Sequence, residues 1–185
     1  MRVVSGIDIE TTGLEQSKGH RIIEFAALIY DLDTRKKVAQ FVQRINPQRS
    51  IDPGAQAVHG ISFEDVEHCP TWEEVAPKVV KILKASSLVV AHNGNGFDMP
   101  FIGNELIRVG HEVPKIECFD TMVHGRWATP LGKLPNLGEL CLANGVTYDP
   151  SQAHGAEYDV EVTMMCFFNG LDSGFFQIPD IKLNS

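Results

Sequence analysis

Apolar residues along this 185-residue chain fall into two rhythms, one strand-like and one helical. Val3 to Glu10, Arg21 to Tyr30 and Lys37 to Ile45 read as three strands, the second an almost unbroken apolar run of the kind that lies buried. The polar stretch Asp31 to Lys36 separates the second from the third, which predicts a meander. Asn46-Pro47, Asp52-Pro53-Gly54 and His59-Gly60 then punctuate a loop, with Ser62 as the cap of a short helical turn. At Thr71 the period changes. Thr71 and Glu74 have capping-box spacing, and Val75, Val79, Ile82 and Leu83 repeat at helical intervals to about Lys84. Lys78, Lys81 and Lys84 lie on the other side and read as a solvated face.

Ser87 to Ala91 is a short buried strand, and the following pattern predicts a helix from about Phe97 to Val109, with Phe101, Ile102, Leu106 and Ile107 inward and Gly110 as its stop. Glu117 to Met122 reads as another short strand feeding a helix. Leu134 to Leu142 follows as a helix that Asn144-Gly145 ends. A last helix opens in Ala153 to Asp159 and keeps its spacing through Val160, Met164, Phe167 and Phe168 to about Asn169. A meander followed by strands alternating with helices indicates an α/β fold with a mixed central sheet. The length suits one domain, over residues 1–170, with 171–185 as a tail that packs on it.

On the first strand, alternation puts Asp8 and Glu10 on one face and Ile7 and Ile9 on the other. Such a pair is often only a polar strand face. It is also the hard-oxygen pair that suits Mg²⁺ or Mn²⁺. Thr11-Thr12-Gly13 closes the strand with turn chemistry. Asp98 falls in the first turn of a helix, where the dipole favours an acid whatever its use. Asp159 and His154 form a third group at a helix start, and acids at strand and helix ends of an open α/β sheet can converge.

The net charge of −8 argues against binding nucleic acid through bulk electrostatics, though not against a local basic groove. The first residues carry no signal-peptide pattern and no apolar run reaches about 20 residues, so the expectation is a cytoplasmic protein without a membrane partner. Cys69, Cys118, Cys141 and Cys166 are widely spaced and fit buried, reduced thiols.

Asp8-Ile9-Glu10-Thr11-Thr12-Gly13, Asn93 to Phe97-Asp98, and His154-Gly155-Ala156 to Asp159 together closely resemble the three motifs of the DEDDh 3′→5′ exonucleases, a group that includes bacterial proofreading subunits, exonuclease X, ribonuclease T and oligoribonuclease. Val58-His59-Gly60-Ile61, Asp120-Thr121 and Lys133 to Leu137 add to the likeness, which runs from Val3 to about Phe168. The resemblance implies an RNase H-like fold, a five-stranded mixed sheet flanked by helices on both faces. It implies that Asp8, Glu10 and Asp159, with Asp98 acting mainly through water, hold two Mg²⁺ or Mn²⁺ ions. His154 takes the position of the general base. The backbone of Thr12, Gly13 and Leu14 would meet the 3′-terminal nucleotide, with the Leu14 side chain as an apolar wedge against the base, and His59, Asn93 and Phe97 would line the cleft, with Phe97 equally placed to be core. The expected substrate is the 3′ end of a nucleic acid, DNA favoured over RNA, and a polymerase or repair protein is a possible partner. A silent binding or scaffold subunit is the alternative, and the unbroken acid set speaks against it. His20, His68, His92, His111 and His124 read as surface, strand-end or packing residues.

Overall fold

A computed structural model describes residues 2–178. Its sheet has five strands in the order β3-β2-β1-β4-β5, with β1 (Val3–Thr11) in the middle. β2 (Ile22–Asp31) and β3 (Lys37–Arg44) extend it antiparallel on one side, and β4 (Leu88–Ala91) and β5 (Cys118–Asp120) parallel on the other. The meander and the mixed sheet are both as the patterning predicts.

Helices cover both faces. Under one lie α2 (Trp72–Ala85) and α3 (Asp98–Arg108), whose Val75, Val79, Phe101 and Leu106 close over Ile7, Ile9 and Phe25. On the other lie α5 (Leu137–Ala143) and α6 (Ala156–Asp172), packed on Val4, Leu28 and Val90. Alternation along β1 therefore leaves Gly6 on the α6 side, and the contact there is too close for a side chain. A β-carbon on Gly6 would lie 2.5 Å from Met164 Cγ and 2.8 Å from Val160 Cγ1. Glycine lets α6 settle directly on the strand.

Several boundaries differ from the pattern. Asp52-Pro53 and Gly60 delimit a helix, α1 (Pro53–His59), rather than a loop: proline is preset for a first helical position, and Gly60 takes the left-handed cap at φ 73°. No residue of α1 is buried, so no apolar period announces it. Ile107 is 62% exposed instead of inward. Its place on the inner stripe of α3 is taken by Glu105, only 4% exposed and held by Arg21 and Arg108. β5 stops at Asp120, whose Oδ1 caps α4 (Thr121–His124) by accepting the Met122 and Val123 N–H groups. α5 starts at Leu137 because Asn136 and Glu139 close a reciprocal capping box. α6 starts only at Ala156, after His154 at a left-handed φ of 63°.

Cys141 and Cys166 are buried with their sulfurs 3.6 Å apart, whereas Cys69 and Cys118 are only partly buried. α6 runs past residue 170 to Asp172, and beyond it Phe176 is 3% exposed and joins the core while Phe175 stacks on Trp127 at 4.1 Å. The end of the expected tail, from Pro179 onward, lies outside the described residues. Among the described residues no helix is long and apolar enough to cross a membrane.

Candidate active site

The acids meet where β1 ends. Asp8 and Glu10 are partly buried on the face of β1 that α6 covers, while Ile7 and Ile9 lock the strand to the opposite core. Asp98 opens α3 and is 2% exposed. The Ile9 N–H donates to its Oδ1 at 3.2 Å, which ties the third acid to the strand between the first two. Asp159 lies in the first turn of α6, and its Oδ2 accepts the His154 N–H at 3.0 Å. That bond explains the five-residue interval: the left-handed His154 turns the chain so that its amide meets the carboxylate at the helix start. The other oxygen, Asp159 Oδ1, is buried without a partner.

Burial is the first cause that raises all of these acids. It holds Asp8 well above the ordinary carboxylate range, with repulsion from Asp98, Glu10 and Asp159 adding to it. Burial, followed by Glu24, Asp159 and Asp98, pushes Glu10 up to about 8. Asp98 rises to about 7, against its hydrogen bond from Ile9, and Asp159 is raised despite the N–H of His154. A cation among them would remove the repulsion, and carboxylate oxygens are the donors that Mg²⁺ and Mn²⁺ favour. The partnerless Asp159 Oδ1 is the atom most in need of one. Among the described residues no His, Cys, Asp or Glu group forms a preformed ligand set. Like charges stand apart, so the acids fit an ion as an open set that would close on it.

Two clefts flank these acids. One, of about 600 Å³, is lined by Asp8, Asp159, His154, Asn93 and His92. Here Asn93 is fixed at φ 63° by its N–H, which donates to Asp120 Oδ1 at 3.0 Å, and His154 is exposed. The other, of about 460 Å³, is lined by Glu10, Gly13, Leu14, Val58, His59 and Phe97. Leu14 is 79% exposed at its mouth. Phe97 does both things expected of it, packing on Phe101 with centroids 5.6 Å apart while facing the cleft. His59 accepts the Ile61 N–H on Nδ1 at 3.0 Å, and burial holds its pKa below the usual range.

Thr12 is expected to meet the nucleotide through its backbone, and its side chain serves the fold. Its side chain is fully buried and turned inward, where Oγ1 lies 3.0 Å from His20 Nδ1 and accepts the Arg21 N–H. His20, read as surface or packing, is a packing residue at 5% exposed, and its Nε2 is 3.5 Å from Asp52 Oδ2 at the start of α1. The sequence also hides Glu24, 8% exposed and directly opposite Glu10 in the β1–β2 register. Glu24 accepts from Arg44 Nε at 3.3 Å and from the Ala156 N–H at 3.4 Å, so it holds the first turn of the helix that carries Asp159. The available signal was a lone carboxylate inside the apolar run Ile22 to Tyr30.

An exonuclease family model, of the RNase T type, matches residues 5–167. Over 166 residues the chain is 34% identical to the 3′-5′ exonuclease DinG of Bacillus subtilis, covering 90% of this chain and 17% of that one. It is 32% identical over 164 residues to the DNA polymerase III subunit epsilon of Escherichia coli, covering 84% and 66%. The zinc-bound structure of an E. coli exonuclease I complex with single-stranded DNA superposes with a TM-score of 0.81 at 21% identity, over 94% of this chain and 41% of that one. The chain thus spans less than two thirds of each.

Proposed function

This chain belongs to the RNase T family of exonucleases, and from that premise we propose that it removes nucleotides from the 3′ end of DNA, releasing nucleoside 5′-monophosphates. The observation that carries the reading is the meeting of Asp8, Glu10, Asp98 and Asp159, brought from β1, α3 and α6 to the border of two clefts. Named relatives that are a DNA polymerase subunit and a nuclease bound to single-stranded DNA favour DNA as substrate and a polymerase as partner.

Asp8, Glu10 and Asp159 would hold two Mg²⁺ or Mn²⁺ ions, with Asp98 contributing mainly through water. Bound divalent ions would supply charge neutralisation at the scissile phosphate and at the departing 3′-oxygen. The other parts fall to the chain itself. The turn at Gly13 and the exposed Leu14 receive the terminal nucleotide, with His59 and Phe97 as the far wall, and such backbone and apolar contacts suit any base. The His154 ring stands in the Asp8 cleft to accept the proton of the attacking water as its oxygen bonds to phosphorus and the bond to the 3′-oxygen breaks. Cys141 and Cys166 stay reduced in a cytoplasmic setting.

The test is degradation of matched DNA and RNA oligonucleotides, single-stranded and duplex, labelled at the 5′ end, in Mg²⁺ and in EDTA. DNA should shorten progressively in Mg²⁺ alone, and a blocked 3′ end should survive. Cleavage of a closed circular strand, or preference for RNA, would overturn the assignment.

A further inference from the structure

Behind the turn of residues 18–21 opens a further cleft of about 400 Å³, lined by Arg21, Arg49, Arg108, Gln48 and Ser50, with no acid among its lining residues. The turn is a shared wall, since Lys18 and His20 line the pocket beside Glu10 and Leu14 while Gly19 and Arg21 line this one.

Two of the arginines have structural work. Arg21 lies 3.3 Å from Glu105, and Arg108 grips Glu105 through Nε and Nη2 at 2.9 and 3.0 Å and Glu73 through Nη1 at 2.7 Å. Arg49 differs. Its hydrogen bonds go to carbonyl oxygens, Nη1 to Lys18 at 3.1 Å and Nε to Ser50 at 3.3 Å, and among the described residues no carboxylate pairs with it. Three guanidiniums against Glu73 and Glu105 leave one positive charge, on a chain whose net charge is −8. A cationic pocket on so acidic a protein is a local exception to its field. One phosphodiester would balance it, and guanidiniums are the side chains best shaped to hold one.

We propose that this cleft is an anion site that takes a phosphodiester of the strand whose 3′ end occupies the neighbouring pocket. The proposal rests on the exonuclease reading for the identity of the strand. The carbonyl bonds of Arg49 fix the guanidinium at the rim and leave its charge uncancelled, while exposed Gln48 and Ser50 offer further polar contacts. A contact of this kind adds affinity without sequence information, and that affinity falls with salt.

The experiment is fluorescence anisotropy of a 5′-labelled oligothymidylate, titrated in EDTA over a series of NaCl concentrations, with the wild type, Arg49→Gln and Gln48→Glu. Loss of one phosphate contact on a single strand should flatten the plot of log affinity against log salt by about 0.7. Gln48→Glu puts a negative charge beside Arg49 without touching its bonds to the turn, so it should flatten the plot in the same direction. Hydrolysis of the p-nitrophenyl ester of thymidine 5′-phosphate in Mg²⁺ reads whether the shared turn is intact. That ester ends at the terminal pocket, and Gln48→Glu should leave its KM and kcat unchanged. Inorganic phosphate provides the second arm: low-millimolar phosphate that binds the wild type but not Arg49→Gln by calorimetry, yet leaves the affinity for the strand unchanged at constant ionic strength, would make the cleft a site for free anions and overturn the strand contact. Wild-type slopes in both variants would equally overturn it. A wild type that binds the strand but hydrolyses nothing would sink the exonuclease reading, while the EDTA titration still decides the cleft.

Discussion

Gly13 lies flat against the His20 imidazole: a β-carbon at position 13 would fall 2.4 Å from His20 Cε1. The turn that faces the candidate nucleotide pocket is thus supported from behind by a buried ring, itself bonded to Thr12 and facing Asp52. Gly13→Ala must displace that ring, and His20→Ala removes it and leaves the buried Thr12 hydroxyl without its ring partner. Loss of such a buried partner costs about 1–3 kcal/mol of stability. Both variants should raise KM for oligonucleotides more than they lower kcat. Steady-state kinetics with thermal melting checks this, and an unchanged KM in both would make the ring mere filling.

The acids should make the metal-free protein less stable as pH rises. Glu10 at about 8 and Asp98 at about 7 hold protons in the folded state that the unfolded chain gives up near pH 4. Their contribution is complete below about pH 4 and is lost as pH climbs through 7 and 8. In EDTA the melting temperature should therefore fall between pH 5 and 8.5. Mg²⁺ should restore most of the difference and release protons on binding near pH 6.5, measurable by calorimetry in buffers of different ionisation heat. A flat melting profile in EDTA would remove the electrostatic case for a cation.

Asp8→Asn should cost more metal affinity than Asp98→Asn. Asp8 has neighbouring acids to neutralise on several sides, whereas one Asp98 oxygen is already committed to the Ile9 amide. Asp98→Asn keeps an oxygen able to accept that bond, so its fold should hold. Titration calorimetry with Mn²⁺ separates the two, and equal affinity in wild type and Asp8→Asn would be decisive against the assignment.

His154 and Asp159 should fail differently although a hydrogen bond joins them. That bond uses the His154 backbone, so His154→Ala preserves it and leaves Asp159 in place. The variant should bind metal normally and lose about 10²- to 10⁴-fold in rate, the usual effect of removing a positioned base. Asp159→Asn should lose metal affinity and activity together. Near-normal turnover in His154→Ala would place the proton acceptor elsewhere.

Where a residue's neighbours repeat at a regular period, sequence reading reaches its position. Ile7 and Ile9 inward, Asp8 and Glu10 on the other face, and the stripe of Val75, Val79, Ile82 and Leu83 all follow from alternation or helical spacing. It fails where a polar residue is buried by partners distant in sequence. Glu105 takes an inward helix position because Arg21 reaches across to it, and Glu24 sits in an apolar strand because Arg44 and the start of α6 receive it. For His20 the sequence leaves surface and packing open, and the turn that folds over it decides for packing. The burial of the Thr12 side chain is equally hidden, since the turn reads only as a backbone contact and its partner His20 comes from the far side of that turn. Helix α1 escapes because it buries nothing, and its Asp-Pro and Gly boundaries are equally the punctuation of a turn.

The close seat of α6 on Gly6 has a consequence for biosynthesis. Within this domain Asp8 and Glu10 are made well before Asp159, which arrives on α6 and reaches them only when Val160 and Met164 dock on the strand. Until then the nascent chain holds an incomplete acid set. The acid site is thereby completed only when nearly the whole domain has been translated and folded, and a stalled product that ends before α6 lacks Asp159.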